Sequence, residues 1–154
     1  MQNSRLIQLL KTLTPSEFRE FKDFINSPVY NKNKKIILLF GALKKFYPGF
    51  DHPDLSNEKI SEMAFGSNNF DYFKFKNMIS DLLALGKEYL SFVHFRSNRE
   101  KENIFLLSEL RDRNLDKLFE QTDKIMDNNL ASEKVMDEND YLKKLELAED
   151  IVSY

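Results

Sequence analysis

The sequence predicts an all-α fold: an N-terminal helical bundle with a helix-turn-helix-like pair, followed by antiparallel helical hairpins in an α-solenoid-like arrangement. Two features carry that expectation. Apolar side chains recur at spacings of three and four from end to end of the chain, the period of a helix with one buried face. The helix breakers are also confined. All four prolines and three of the four glycines fall within the first 66 residues, and only Gly86 interrupts the remainder of the chain. One glycine inside a helix costs about 1 kcal/mol, which packing offsets.

The first helix is expected over Ser4–Leu13. Thr14-Pro15-Ser16-Glu17 then joins a capping box to a proline at the first helical position, a strong helix start. The helix it begins carries Phe18, Phe21, Phe24 and Ile25 on one face, and Ser27-Pro28 ends it, because proline disfavours helical geometry in the residue before it. A third helix, Lys32–Phe46, turns Ile36, Ile37, Leu39, Phe40 and Leu43 inward and leaves Lys34, Lys35, Lys44 and Lys45 to solvent. Tyr47-Pro48-Gly49-Phe50 closes it. After the loop Asp51-His52-Pro53-Asp54, Ser56 caps a short helix to Phe65, and Gly66-Ser67-Asn68-Asn69 makes a turn.

From Phe70 to Phe95 the positions Phe75, Ile79, Leu82, Gly86, Tyr89 and Val93 step by four and three, a seam that can pack along another helix. Met78, Leu83 and Leu90 widen the stripe, so this helix is expected to be buried on more than one side. Beyond the polar break Arg96-Ser97-Asn98-Arg99, helices are expected over Glu100–Arg113, Leu115–Asn129 and Ser132–Ser153, joined at Asn114 and at Asn128-Asn129-Leu130-Ala131. Helices joined so tightly are antiparallel neighbours. The expected organisation is an N-terminal helical domain, 1–98, and a helical-hairpin segment, 99–154. No helix-ending signal precedes Tyr154, so the hairpins are expected to begin a longer array.

Composition narrows the chemistry. Hydrophobic residues make up 42% of the chain, with 14 Phe, enough for a Phe-rich core and too apolar for a disordered protein. There is no cysteine, which removes thiolate nucleophiles, disulfides and cysteine-ligated metals. The N-terminal apolar positions are broken by Gln8 and Lys11, and no run is long enough to span a membrane. A soluble cytoplasmic protein is the expectation. Residues 1–101 hold 16 Lys+Arg against 11 Asp+Glu, or +5, and residues 102–154 hold 7 against 14, or −7, an asymmetry that suggests two faces or two modules.

Phosphate-binding, dinucleotide-binding, zinc-protease and serine-hydrolase motifs are absent from the sequence. His52 and His94 sit in unrelated contexts. Asp51, His52 and Asp54 offer neighbouring ligand types without a remote partner, which a metal site needs. His94 suits the C-terminal end of its helix. Adjacent acids such as Asp137/Glu138 and Glu149/Asp150 do not face each other on a helix. No catalytic residue, cofactor or metal is assigned, and the chain is expected not to be an enzyme.

Leu55–Phe65, Gly66 and the helix from Phe70 together follow a helix-turn-helix order, with Asn69, Tyr72, Lys74, Lys76 and Asn77 near the start of the second helix, residue types able to reach bases or phosphates. Over roughly Leu55–Leu85 the chain resembles the winged-helix half of bacterial activators that carry helical repeats behind it, which implies DNA binding there. Its second helix is about twice the usual length and leads to another helix in place of a β-wing.

A second resemblance lies in Leu13-Thr14-Pro15-Ser16-Glu17-Phe18 through Phe24-Ile25-Asn26-Ser27-Pro28-Val29-Tyr30-Asn31-Lys32-Asn33, with Leu39-Phe40 and Tyr47-Pro48-Gly49-Phe50 beyond. It is similar to the opening of an uncharacterised bacterial family of larger all-helical proteins, in which a Ser-Pro-aromatic-Asn element follows the second helix. That resemblance implies a longer helical protein and brings no activity. The leading expectation is a non-enzymatic scaffold that binds a protein partner through Tyr30, Lys32, Lys34, Lys35, Tyr72 and Phe73. The alternative is a DNA-binding regulator using residues 55–85.

Overall fold

The computed structural model describes residues 1–66 and 71–132, the last four of these by backbone alone. Among the described residues the chain is helical and no strand occurs. The helices are α1 (Arg5–Thr12), α2 (Pro15–Asn26), α3 (Lys34–Leu43) with a 3-10 turn at Lys44–Phe46, α4 (Asn57–Phe65), α5 (Tyr72–Ser97), α6 (Arg99–Asp112) and α7 (Asp116–Ser132).

Local hydrogen bonds set the ends. Thr14 accepts from the Glu17 N–H while the Glu17 carboxylate accepts the Thr14 N–H at 2.8 Å, so the expected capping box is formed. The third helix starts two residues later than expected. Asn33 takes the cap and accepts the Lys35 N–H at 3.0 Å, while Asn31 donates to the carbonyls of Ile25 and Asn33. Asparagine side chains compete for nearby backbone groups and so hold the loop open at this point. Gly66 ends α4 at φ 63°, a left-handed geometry that glycine adopts without strain.

At the C-terminal side the expected junction Asn128-Asn129-Leu130-Ala131 is not a break, because α7 continues through it to Ser132. Asparagine is a weak helix former but costs under about 1 kcal/mol inside a helix, and neither glycine nor proline is present to stop it. The further helix expected over Ser132–Ser153 lies outside the described residues from 133 onward.

Two compact units are distinguished, Met1–Phe92 and a second beginning at Val93, with the division inside α5. In the first, α3 packs chiefly on α4 and also on α2. The predicted stripe of α2 is buried, as are Ile36, Leu39, Phe40 and Leu43 of α3, whereas Ile37 is only half-buried. The core is aromatic: Phe21 meets Phe40 edge-on at 5.4 Å and Tyr89 at 5.2 Å, and Phe18 stacks on Tyr47 at 4.1 Å. Such pairs add about 0.5–1.5 kcal/mol each beyond their burial.

The α5 seam packs in part as its spacing predicts. Phe75, Leu82, Gly86 and Tyr89 are buried and Ile79 and Val93 half-buried, while of the residues expected to widen the stripe Met78 and Leu83 are half-buried and Leu90 is exposed, so a second buried side does not form. At Gly86 the α1 side chain Leu9 comes near: a Cβ there would lie 3.1 Å from Leu9 Cδ2 and 3.7 Å from Phe21 Cζ. Its missing side chain makes room for Leu9.

In the second unit α6 and α7 pack against each other. Asn114 takes φ 56°, the Leu115 N–H donates to the Leu110 carbonyl at 2.9 Å and the Asn114 N–H to the Arg111 carbonyl at 2.9 Å. This pair of bonds around a left-handed residue is a Schellman C-cap. It reverses the chain within three residues and makes α6 and α7 an antiparallel hairpin.

Candidate functional site

The residues expected to touch a partner fall into two separate places. Tyr30 stacks on Phe24 at 3.9 Å and lies 6.0 Å from Phe92. Much of its ring is therefore used inside the fold, although 37% of it stays exposed. Tyr72 and Phe73 open the other end of the same helix, with Phe73 77% exposed. The 20 residues between Tyr72 and Phe92 put the two aromatic groups about 30 Å apart along α5. They cannot grip one small partner together.

The nucleic-acid residues lie at that second place. Tyr72, Lys74, Lys76 and Asn77 are exposed on the first turns of α5, and Asn69 lies outside the described residues. Lys74 is already engaged: its ammonium is 3.2 Å from Asp71, whose carboxylate also accepts the Lys74 N–H at 3.0 Å. The backbone bond from Lys74, then its side-chain bond, hold the Asp71 carboxyl below the usual range. Asp71 thus caps α5, and one of the expected phosphate contacts is already paired.

The loop that carries Asp51, His52 and Asp54 is closed by its own ion pair. Asp54 accepts from Lys59, and the His52 ring accepts the Asp54 N–H at 3.1 Å. The Lys59 bond holds the Asp54 carboxyl below its ordinary range. Among the described residues no three His, Asp or Glu side chains gather as metal ligands do.

The lysines on and around α3 are all free at the surface. Lys34 and Lys35 of the helix, Lys32 before it and Lys44 and Lys45 of the following 3-10 turn are exposed, and none forms an ion pair with another described residue. No acidic residue stands between Asp23 and Asp51, so nothing nearby in the chain neutralises them. Lys34, Leu38 and Gly41 follow one another at four and three residues, which aligns them as one outward ridge of α3, and Lys45 in the following 3-10 turn continues it with exposed charge. Leu38 is 52% exposed. Among the described residues, a Cβ on Gly41 would meet nothing within 4 Å.

No protein-family model matches the chain. Comparison with curated proteins and with solved structures gave no match either.

Sequence reasoning alone does not single out Leu38 and Gly41 as site residues. A signal for them exists, since the inward set of α3 leaves both on the lysine side, but an outward leucine or glycine means little until its surroundings are known. The ridge has no nucleophile, acid–base pair or enclosed polar group. Its chemistry is that of a shallow cationic surface with an apolar centre.

Proposed function

We propose that the chain is a non-enzymatic interaction module that docks an acidic protein surface on the ridge Lys34–Leu38–Gly41–Lys45, with Lys32 and Lys35 beside it. One observation carries this reading: α3 breaks helix rules on its outward face only. Lys34 and Lys35 occupy the first turn, where the helix dipole disfavours cations by a few tenths of a kcal/mol or more. Gly41 weakens the helix by about 1 kcal/mol relative to alanine, and no contact among the described residues requires it. Leu38 leaves apolar surface in water. Departures from local stability confined to one surface are the mark of a functional site.

A photo-crosslinking residue at position 38 of the full chain, with Lys87 as an exposed control position, tests the docking surface. A discrete adduct from position 38 alone, lost on Lys34→Glu/Lys45→Glu, supports it. Equal labelling from both positions sinks it.

A second reading, DNA binding by the α4–α5 pair, is favoured by the exposure of Tyr72, Lys76 and Asn77 on the first turns of α5. Duplex titration across salt concentrations decides it, because phosphate contacts weaken steeply as salt rises. Absence of binding at low salt removes it.

A further inference from the structure

We infer that the acidic surface docked by the α3 ridge is α7 of a second copy of this chain. The inference rests on the reading of that ridge as a docking surface and names its occupant.

Charge and spacing carry it. On α7 the residues Asp116, Glu120, Asp123 and Asp127 follow one another at four, three and four residues, all exposed, and none forms an ion pair with another described residue. The same intervals separate Lys34, Leu38, Gly41 and Lys45. Each row advances eleven residues from first to last, or about 17 Å, so end charges can meet end charges when the two helices lie side by side. With the helices antiparallel, Lys34 faces Asp127 and Lys45 faces Asp116, the orientation that also opposes their dipoles. The uncharged middle of the ridge, with no side chain at Gly41, lets the facing helix approach while the lysines reach around it.

Lys34 and Lys35 stand at the positive end of α3, which disfavours cations, so a carboxylate brought to Lys34 relieves a local strain. Neighbouring acids of the α7 row repel by a few tenths of a kcal/mol per pair, in part offset by Lys117 and Lys124 beside them. A pairing built on exposed charge is weak and salt-sensitive.

Sedimentation velocity on the purified full chain tests this at about 0.05 M and about 0.5 M NaCl, a range over which screening of exposed charges becomes severe. The expected result is concentration-dependent dimer at low salt that is lost at high salt. Lys34→Glu and Asp127→Lys each weaken self-association about fivefold or more, and mixing the two variants restores it. Lys34→Glu suits the helix dipole at the start of α3 and Asp127 is exposed, so an unchanged melting temperature confirms that the fold is kept. A chain that stays monomeric at low salt, or a mixture that does not recover, overturns the inference. If the chain is monomeric but position 38 still crosslinks to a different protein, the occupant is wrong and the docking surface stands. If no crosslink forms from position 38 either, both fall.

Discussion

The Tyr89 hydroxyl, buried in the middle of α5, donates to Oε2 of Glu20 on α2 at 3.4 Å. Burial pushes the phenol up to about 12, helped by the negative charges of Glu20 and Glu17 and by the bond itself. An unfolded tyrosine ionises near 10, so between those values the unfolded chain has released a proton that the folded chain keeps. Stability is therefore unaffected by Tyr89 ionisation below about pH 10 and falls as pH rises from there toward 12. Urea unfolding at pH 9 and pH 11 should show a steeper alkaline loss in the wild-type chain than in Tyr89→Phe.

Glu17 works in the opposite direction. The backbone bond from Thr14, then the side-chain bond, hold its carboxyl below the ordinary 4.5. That depression contributes stability above the ordinary value and is lost as pH falls through the lower folded value. Glu17→Ala should be less stable than wild type at pH 7, and the difference should narrow at pH 3 when both are compared by denaturant midpoint.

Gly86 should tolerate alanine and reject leucine. An added Cβ meets the methyls of half-buried Leu9 at 3.1 and 3.2 Å, a flexible neighbour that can yield while the helix gains about 1 kcal/mol of propensity. A leucine there overfills the α1–α5 contact and should cost about 1–3 kcal/mol. Thermal unfolding of the two variants separates these outcomes.

Asn114 should be replaceable by glycine and not by valine. Its φ of 56° costs a side-chain-bearing residue about 1–2 kcal/mol, and valine cannot offset this with the local hydrogen bonds open to asparagine. Amide exchange at Asn114 and Leu115, whose N–H groups close the α6 cap, should quicken in Asn114→Val and stay slow in Asn114→Gly.

Gly41→Ala should separate stability from binding. With open space around the position and no positive φ, alanine should stabilise the chain by up to about 1 kcal/mol. The same methyl stands on the docking ridge and should reduce adduct formation from position 38. A gain in melting temperature without loss of the adduct would remove Gly41 from the surface.

The helices are legible in the sequence because their signals are local. Thr14 and Glu17 form the capping box that their spacing announces, and Phe75, Leu82, Gly86 and Tyr89 face inward as a four–three repeat requires. Asn33 and Asn128 show where local reading slips. Asparagine is both a cap and a weak helix former, and which role it takes depends on neighbours such as Ile25, six residues before Asn31. Of the candidate site, the lysines of α3 are visible as unneutralised charge, while Leu38 and Gly41 are hidden among residues that sequence alone treats as ordinary core or punctuation.

Helical period and capping act within four residues of the chain, so the all-helical character of the described residues, the helix order and most of the caps come from the amino-acid order alone. Packing in three dimensions was needed to establish that Tyr30 stacks on Phe24, that Gly86 lies against Leu9 while Gly41 meets no side chain among the described residues, and that the two aromatic groups lie far apart along α5. Those facts depend on which helix faces which, a choice made by contacts between residues distant in the chain and invisible to any local pattern.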